Sequence, residues 1–588
     1  MNLQFIFSLA IIAVSAFAKR VDRHQHHDES QSNDQTSLLV ELSNLKYNLT
    51  WYSDFENQEV IFEVFLLKPK EMEVNRWLMF GFSDHGKIEG SDFCLFNYDG
   101  NRNFIDGYLN DKLEPKIDFH QDCFLEDLDW KNGTIRFRRK FTTCDIRDYA
   151  VEPGTTQFLL ATGLDEFKSM NDKNVSYHLR YNMILQYPVK FPANDPDAKT
   201  MTILAKDAPV PPQRTTYWCA IVKLDENLQN QKHHVIKIEP VITEGLEQIV
   251  HHMVLFHCAA EGDAQYVFNG NCLSSDMYHM CSKTLAAWSM GASTVFYPKE
   301  AGLPFGGSGF RPLVMVEIHY NNPKLKKGLR DHSGFKLTYT PNLRPNDAGI
   351  LEVGHIYSDA NSIPPGQKAF PLTSYCIAEC TQKLPEEGIT IFGTQLHAHE
   401  TGRKLWTSHF RNGIKIGEVN RDNHYTHHWQ HIMALQKPVK VFPGDVLTTT
   451  CVYDTADKKE FVFGGYEINN EMCMNYIYYY PVSEIEVCKS AVDNSTLRAW
   501  FEKHGVDGSN KTYFHQKYQQ LESKWNQSMT DDLIELYTSS KINMACLNHT
   551  GQLFEGHKTG WEKIDVPQTF AGIFEKHRDS HECPAIND

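Results

Sequence analysis

Short apolar or alternating stretches, each ended by Gly, Asp, Asn or Pro, recur along most of this chain of 588 residues. Between residues 37 and 185 they include VIFEVFLL, RWLMFGFS, DFCLFNY, TIRFRRKF and QFLLATG. Stretches of this length, rich in β-branched and aromatic residues and separated by turn residues, are typical of the strands of a β-sandwich. The pattern therefore predicts a mainly β protein whose first unit is a sandwich of roughly 140 residues.

Proline-rich segments divide the rest of the chain. One contains YPVKFPANDPDAK and DAPVPPQ, and another is TPNLRPNDAG. Prolines favour extended chain and mark boundaries. After the second β unit and the third, the spacing of apolar residues becomes helical, as in LRAWFEKH. We expect a signal peptide at 1–18, a disordered arm at 19–36, β domains at 37–185, 200–340 and 341–490, and a partly helical tail at 491–588.

The N-terminus and the cysteines indicate the secretory pathway. Residues 1–18 contain an apolar core too short to cross a bilayer comfortably, followed by A-F-A, which fits a signal-peptidase site. Membrane association is expected only if this segment is retained. Fourteen cysteines without a C-x-x-C are expected to form disulfides in an oxidising lumen, which leaves metal binding to His and Met. Seven sequons for N-glycosylation agree: Asn48, Asn132, Asn174, Asn494, Asn510, Asn526 and Asn548. The protein is expected outside the cell or in a secretory vesicle.

The net charge argues against one class of partner. A formal charge of −16 does not suit nucleic acid, which requires a basic surface. An acidic surface attracts a small cation only weakly, so solubility is the simpler interpretation of the charge.

Histidines and one methionine form the pattern with the most chemical content. His397 and His399 lie in the strand-like run TIFGTQLHAHETG, where residues two apart share a face and could reach one ion. Met472 lies in NNEMCMNYIYYYP, and a thioether suits Cu(I) rather than zinc, magnesium or calcium. His251 and His252 are adjacent, so both could bind one ion only at a twist, a bulge or a strand end.

His319, at the end of the apolar run MVEIHYNNP, could complete the set that begins with the adjacent pair. Each of these residues alone has an ordinary alternative, a core or surface histidine or a core-filling methionine. Together they predict one all-imidazole site and one site with a thioether, as in a copper redox enzyme that uses two electrons on oxygen. The sequence contains no H-E-x-x-H, no G-x-S-x-G and no phosphate loop.

Five strings resemble the copper type II, ascorbate-dependent monooxygenases: IVHHMVLFHC, MVEIHYNNP, RPNDAGILEVG, QLHAHETGRK and EMCMNYIYYYP. They occur in the order found in that family. A sandwich before two copper domains resembles the DOMON module, which is typical of the branch of dopamine β-hydroxylase, tyramine β-hydroxylase and DBH-like monooxygenases. The resemblance covers about residues 37 to 588 and implies two jelly-roll-like copper domains after the DOMON sandwich.

The resemblance implies a role for each candidate residue. His251, His252 and His319 would bind the copper that transfers electrons, and His397, His399 and Met472 the copper at which oxygen is activated. Tyr217 and His397 match positions that the family treats as catalytic. Glu352 and Tyr479 match positions proposed to contact an amine substrate. Cys94 and Cys123 lie within the first unit and are expected to pair. For the other cysteines, the family pattern implies Cys144–Cys583, Cys219–Cys272, Cys258–Cys281, Cys376–Cys488, Cys380–Cys546 and Cys451–Cys473.

The function implied is hydroxylation of the benzylic (β) carbon of a phenylethylamine such as tyramine or dopamine. Two copper ions per subunit would be the cofactors, ascorbate the electron donor and O2 the co-substrate. A homodimer or tetramer would be typical of the family. One alternative is an orphan DBH-like monooxygenase with a more hydrophobic substrate, whose ligands would be identical. The other is a non-catalytic, secreted copper-binding protein, which the presence of all six ligands argues against.

Overall fold

The computed structural model describes residues 37–42, 45–69, 76–98, 104–129, 132–145, 147–185, 195–247, 249–260, 266–275, 280–289, 292, 294–467, 469–509, 513–555 and 560–568. The predicted signal peptide, the predicted arm, Asn510 and Cys583 lie outside these residues. The protein is mainly β, as predicted, and its strands form several separate sheets.

Two sheets form the N-terminal sandwich, with strand orders β1-β2-β3-β9-β8 and β11-β10-β4-β5-β6-β7. Strand β3 alternates buried and half-buried residues, because one of its faces covers the core, whereas β4 is buried throughout. The strands are Ser37–Leu42 (β1), Leu45–Asp54 (β2), Glu59–Leu66 (β3), Arg76–Ser83 (β4), Asp92–Tyr98 (β5), Phe104–Leu109 (β6), Pro115–Ile117 (β7), Phe124–Asp129 (β8), Thr134–Lys140 (β9), Thr156–Leu164 (β10) and Ser176–Asn182 (β11).

The middle domain contains a sheet β17-β14-β21-β16-β18 that packs on a second sheet, β12-β23-β15-β20-β24 with β19 beside β15. Strand β21 is buried along nearly its whole length, as expected for a central strand. The elements are Lys199–Leu204 (β12), Ala208–Pro209 (β13), Thr215–Lys223 (β14), Glu226–Asn230 (α1), Lys232–Val241 (β15), Val250–Cys258 (β16), Phe268–Asn271 (β17), Cys281–Ser289 (β18), Val295–Phe296 (β19), Ala301–Gly306 (β20), Leu313–Asn321 (β21), Arg330–Asp331 (β22), Gly334–Thr340 (β23) and Asn346–Asp347 (β24).

The C-terminal domain has the sheets β30-β27-β32-β25-β33-β34 and β26-β31-β28-β29. The predicted helical tail contributes three helices and also β34, which pairs with β33 and extends the first of these sheets. The elements are Gly349–His355 (β25), Phe370–Cys376 (β26), Ala378–Thr381 (α2), Ile389–His397 (β27), Gly402–Arg411 (β28), Ile414–Asp422 (β29), Met433–Val441 (β30), Val446–Tyr453 (β31), Met474–Tyr480 (β32), Ile485–Val492 (β33), Asn494–Lys503 (α3), Phe514–Gln519 (α4), Gln527–Ser539 (α5) and Ile542–Asn548 (β34).

Disulfides join the strands within and between these sheets. Six of the seven expected pairs are present: Cys94–Cys123, Cys219–Cys272, Cys258–Cys281, Cys376–Cys488, Cys380–Cys546 and Cys451–Cys473. Cys144 is also disulfide-bonded, and its expected partner lies outside the described residues. In the described part of the chain, the helices are all too short or too polar to cross a bilayer.

Candidate metal centres

A β-bulge brings three histidines together in the middle domain. His251 and His252 are neighbours on β16, and His319 lies on the adjacent strand β21. The ladder pairs Val250 with Tyr320 and His252 with His319, so His251 is the extra residue of a bulge. A bulge interrupts the strict alternation of side chains, and ligand atoms of the three rings lie within 4.8 Å of one another. We call these three histidines the first cluster.

The spacing and the protonation of the first cluster fit a metal ion. Nδ1 of His252 lies 3.2 Å from Nδ1 of His251 and 3.3 Å from Nδ1 of His319. Two nitrogens bound at tetrahedral angles about 2.0 Å from one ion lie about 3.3 Å apart. Burial, followed by the charge of neighbouring imidazoles, lowers the pKa of His251 to about 3 and of His319 to about 4. The rings are therefore neutral at physiological pH, the form in which imidazole binds metal.

Tyr217 lies beside the first cluster. Strand β14 pairs it with His319, and the two rings stack with centroids 4.6 Å apart and an angle of 5° between their planes. Its centroid lies 6.1 Å from that of the His252 ring. Burial, with a smaller contribution from the carboxylate of Glu317, raises the pKa of Tyr217 to about 12, so the phenol keeps its proton.

The C-terminal domain contains the second set, which we define as His397, His399 and Met472. His397 ends β27, and its ring centroid lies 5.1 Å from that of His399. Nδ1 of His397 donates to Oε1 of Gln430 at 2.6 Å, and Nδ1 of His399 donates to the carbonyl of Asn470 at 3.0 Å. An imidazole that donates from Nδ1 has its lone pair on Nε2, and such bonds fix the ring orientation. Both rings therefore present Nε2 as the donor atom for an ion.

The register of β27 and β32 brings the chain segment of Met472 next to the end of β27. The ladder pairs His397 with Met474. Both strands stop at this pair, so His399 and Met472 each lie two residues beyond it, on the segments that leave the sheet. Met472 is half-buried. Met472 thus lies immediately before β32, beside the end of the strand that carries His397.

A buried glutamate joins the two segments that carry the second set. Oε2 of Glu471 accepts from the backbone N–H of His399 at 2.9 Å and of Met472 at 3.2 Å. Its Oε1 accepts from the backbone N–H and the hydroxyl of Thr401, both at 2.7 Å. Burial raises the pKa of Glu471 to about 7, and these hydrogen bonds lower it in part. One carboxylate therefore joins the backbone at His399 to the backbone at Met472.

The segment 422–431, which starts at the last residue of β29 and leads to β30, also contacts the His-Ala-His motif. The hydroxyl of Tyr425 accepts from the N–H of Ala398 at 2.8 Å and donates to its carbonyl at 2.6 Å. Nε2 of Gln430 donates to the carbonyl of His427 at 2.9 Å, which orients the amide so that Oε1 faces His397. Tyr425 and Gln430 are each 2% exposed. The segment therefore fixes both the backbone and one ring of the motif.

Glu352, a predicted substrate residue, is paired with a lysine. Its Oε2 lies 2.6 Å from Nζ of Lys489, and its Oε1 accepts from the hydroxyl of Thr284 in the middle domain at 3.4 Å. The Lys489 ammonium also lies 4.1 Å from the centre of the Tyr357 ring. The ladder pairs Glu352 with Tyr476, so these two residues share a face. Glu352 thus lies where the middle and C-terminal domains meet, with one cation already at its carboxylate.

The structure does not bring Tyr479, the other predicted substrate residue, to the same place. Successive strand residues point to opposite faces, so Tyr479 lies on the other face of β32 from Tyr476. Its ring is buried in a separate apolar core, and its hydroxyl bonds to the Ser483 hydroxyl at 2.8 Å. Tyr476, rather than Tyr479, shares a face with Glu352 and the His397 strand position.

The first cluster and the second set lie close enough to influence each other. After burial and His319, the imidazoles of His397 and His399 contribute to lowering the pKa of His251. After burial, His399 also lowers the pKa of His319. Physiological salt screens exposed charges beyond about 8 Å, but it screens buried groups such as these much less. A proton gained at one set would therefore be felt at the other.

Sequence reasoning did not identify four residues that support these sites: Tyr425, Gln430, Glu471 and Lys489. Glu471 had a local signal, because its carboxylate directly precedes Met472, the candidate thioether ligand. The other three are separated from the residues they contact by 27, 33 and 137 positions. Contacts at such separations depend on the sheet register, which the sequence pattern does not specify.

Three family models match the chain: the DOMON domain at residues 43–163, and the N-terminal and C-terminal domains of copper type II ascorbate-dependent monooxygenases at residues 201–327 and 346–501. The chain is 43% identical to the tyramine beta-hydroxylase of Caenorhabditis briggsae over 570 residues, which cover 94% of this chain and 95% of that protein. It is 38% identical to the dopamine beta-hydroxylase of Rattus norvegicus over 541 residues, 90% of this chain and 86% of that protein. It is also 33% identical to DBH-like monooxygenase protein 1 of Homo sapiens over 427 residues, 70% and 69% of the two chains.

Proposed function

Because the chain belongs to the copper type II ascorbate-dependent monooxygenases, we propose that it hydroxylates the β-carbon of a phenylethylamine, with tyramine as the leading substrate. The identity and coverage of the tyramine beta-hydroxylase relative support this choice. The dopamine beta-hydroxylases support the same substrate class. We infer further that the protein acts outside the cell or in a secretory vesicle, in agreement with its disulfides.

In this proposal the first cluster binds one copper through His251, His252 and His319. The second set binds another through His397, His399 and Met472. The two donor sets differ in the way that copper chemistry requires, since imidazole suits both oxidation states and a thioether favours Cu(I). Bound copper would supply one-electron redox chemistry at each site and activation of O2 at the second. Overall, one oxygen atom enters the C–H bond and the other leaves as water, with two electrons from ascorbate and two protons.

The side chains of this chain prepare both sites for that reaction. Burial keeps the imidazoles neutral, so a metal ion does not compete with protons near neutral pH. Gln430 and the Asn470 carbonyl fix the rings of the second set with Nε2 as donor. Glu471 keeps the thioether segment next to the imidazole segment. Ligands held in place in this way lose little freedom when a metal binds.

Glu352 would bind the ammonium group of the amine. Its Oε2 is occupied by Lys489, and its Oε1 accepts from the Thr284 hydroxyl at the long distance of 3.4 Å. Glu352 is half-buried, and the Lys489 ammonium at its Oε2 would hold the carboxylate in place before the amine arrives. The substrate ring would then lie toward Tyr476 and His397, which share that face of the sheet.

The single observation that carries the proposal is the convergence of three histidines in the middle domain and of His397 with His399 in the C-terminal domain. The test is oxygen consumption by copper-loaded protein with ascorbate, in the presence of tyramine, dopamine or octopamine. Octopamine already carries the β-hydroxyl and serves as the matched control. We expect tyramine to be converted with one O2 per product. Oxygen consumption that does not depend on the amine, without hydroxylated product, would contradict the proposal.

One observation favours the second candidate, a monooxygenase with an uncharged hydrophobic substrate. Glu352 already has a counter-ion in Lys489, so an amine would bring a second cation to one carboxylate. The two candidates differ in the effect of Glu352→Gln. For an amine substrate we expect KM to rise about tenfold or more, whereas the KM of an N-acetylated tyramine should not change. If the acetylated compound is the better substrate of the unaltered enzyme, the second candidate is correct.

A further inference from the structure

We propose that the N-terminal sandwich is a positioning element for the second set. It holds the segment 422–431, and this segment in turn holds the His397-Ala398-His399 motif. The inference rests on the proposed function, because it assigns to the sandwich a role in the copper chemistry of another domain. It concerns side chains of the sandwich that lie outside both candidate metal centres.

The sandwich contacts the start of this segment through a buried hydrogen bond. The hydroxyl of Thr155 donates to Oδ2 of Asp422 at 2.6 Å, and the two residues are 1% and 3% exposed. Burial raises the pKa of Asp422, and the Thr155 bond opposes that rise. Gly154 allows the close approach, because a Cβ at this position would lie 2.9 Å from Cγ of Asp422. Asp422 is therefore seated directly against the sandwich.

Three further contacts surround this bond. Nδ1 of His424 lies 2.8 Å from Oδ1 of Asp84, and the His424 ring lies 4.3 Å from the Tyr149 ring between centroids. Nδ2 of Asn423 donates to Oε2 of Glu152 at 2.6 Å. Three consecutive residues of the C-terminal domain, 422 to 424, are thus held by side chains of the sandwich.

The same three residues determine where Tyr425 lies. Oδ1 of Asp422 accepts from the backbone N–H of His424 at 3.0 Å, which closes the turn immediately before Tyr425. The Tyr425 hydroxyl bonds both backbone groups of Ala398, and six residues after His424 Gln430 bonds the His397 ring. Oδ2 of Asp422 therefore bonds to the sandwich, and Oδ1 stabilises the turn that leads to Tyr425 and Gln430.

The first cluster provides an internal reference. Its three rings lie on β16 and β21 of the middle domain, and the bulge that unites them belongs to that sheet. Thr155, Glu152 and Asp84 bind residues 422 to 424 of the C-terminal domain. A change in the sandwich at these residues should therefore weaken one copper site and leave the other as it was.

The test compares Thr155→Val, Thr155→Ser and Thr162→Val in the full-length, copper-loaded protein. Thr155→Val keeps the shape and removes the donor, whereas Thr155→Ser keeps the donor. Thr162 is also 1% exposed, but its hydroxyl donates to the Trp77 carbonyl within the sandwich, so its valine variant is the matched control. Copper retention is measured against increasing amounts of a Cu(I) chelator. Cu–S scattering in the X-ray absorption spectrum reports the site that contains Met472.

Partners that orient ligands contribute about 10- to 100-fold to metal affinity. Thr155 acts one step further away, so we expect its valine variant to lose Cu–S scattering at about 3- to 10-fold lower chelator concentration. Retention of the sulfur-free copper should be unchanged. Thr155→Ser should restore the unaltered behaviour, and Thr162→Val should match it. Equal retention in all variants, or equal loss from both sites, would overturn the proposal.

If Thr155→Val does not fold, Asp84→Ala provides a milder version of the test, because Asp84 is 58% exposed. We expect a shift in the same direction, about twofold, at the Cu–S site alone. No shift with Asp84→Ala and with Glu152→Ala would also overturn the proposal. Failure of the proposed function looks different: the unaltered protein would then lack Cu–S scattering or amine hydroxylation.

Discussion

The first cluster and the second set, the two candidate groups of copper ligands, are held in place in different ways. The first cluster takes three histidines from two paired strands and depends on one local bulge. The second set takes its residues from the end of β27 and the segment before β32, 73 positions later in the sequence. The hydrogen bonds found at the first cluster join its own rings. Those at the second set come from Gln430, Asn470, Tyr425 and Glu471.

This difference separates a site that is specified locally from one that is assembled from distant parts. A bulge in a central, buried sheet keeps its geometry as long as that sheet is intact. An assembled site keeps its geometry only while each supporting contact is made. The second set is also the one that includes a flexible thioether, which needs such support. We therefore expect changes far from the ligands to affect the second set more than the first cluster.

The largest effect is expected for Met472→Ile. Isoleucine has a similar volume but offers no donor atom, so turnover should fall by more than about 100-fold, beyond the loss caused by removing an outer partner of a ligand. The first cluster should still bind one copper. Copper content, Cu–S scattering and product formation are the measurements. His319→Ala is the reciprocal variant and should keep Cu–S scattering while it loses the sulfur-free copper. Undiminished turnover in Met472→Ile would refute the assignment of the thioether.

Two disulfides of nearly equal span, one near each candidate copper site, allow the support of the two sites to be compared. Cys451–Cys473 spans 22 positions and directly follows Met472, whereas Cys258–Cys281 spans 23 positions at the far end of the strand that carries His252. Loop entropy predicts that replacing either pair by serines costs about 3 kcal/mol of unfolding free energy.

We expect copper retention to respond differently to these two changes. Loss of Cys451–Cys473 should free the segment before β32 and reduce Cu–S scattering. Loss of Cys258–Cys281 should leave both coppers bound, because the bulge is held by the sheet itself. Denaturant unfolding and X-ray absorption are measured on both variants. Equal copper loss from both sites in either variant would show that the first cluster also depends on remote support.

The pH dependence of the metal-free protein tests a property that the two sites share. Burial lowers the pKa of His251 and of His397 to about 3, while an unfolded histidine titrates near 6.5. The unfolded state therefore binds more protons between about pH 6.5 and pH 3. The stability from these groups is complete above about pH 6.5 and is lost as the pH falls, by at most about 1.4 kcal/mol per pH unit for each group.

The expected result is a falling unfolding midpoint of the metal-free protein from pH 6.5 to pH 4. His251→Phe and His397→Phe should each reduce that slope, and by similar amounts, because both imidazoles are excluded from protonation by burial. The measurement is thermal unfolding at a series of pH values. A change of slope in only one of the two variants would show that the sites differ in burial as well as in support.

The sequence allowed prediction of whatever depends on local pattern. Alternating apolar residues predicted the β sheets, the H-x-H spacing placed His397 and His399 on one face, and the adjacent pair His251-His252 required an irregularity, which the bulge provides. What could not be predicted depends on strand register. The run YIYYY has tyrosines on both faces of β32, so the sequence alone could not decide that Tyr476 rather than Tyr479 faces Glu352.

The supports of the second set were also beyond the reach of sequence patterns. Thr155 and Asp422 are 267 positions apart, and each alone is an ordinary residue of a turn or a strand end. The two residues come into contact because the sandwich packs on the C-terminal domain. A buried carboxylate such as Asp422 or Glu471 can be expected to have partners, but its sequence neighbours do not tell which ones.

The smallest effect is expected at Tyr217, which belongs to the locally specified site. Its ring stacks on His319, and its phenol stays protonated because its pKa is raised to about 12. Tyr217→Phe keeps the stack, so copper binding at the first cluster should not change, and turnover should fall by less than about 10-fold. Tyr217→Ala removes the stack, which contributes about 0.5–1.5 kcal/mol, and should weaken that copper by about 2- to 10-fold. Chelator titration and steady-state kinetics distinguish the two variants. A loss of turnover above about 100-fold in Tyr217→Phe, with copper retained, would instead assign the hydroxyl a direct part in the reaction, since only the hydroxyl differs between the two rings.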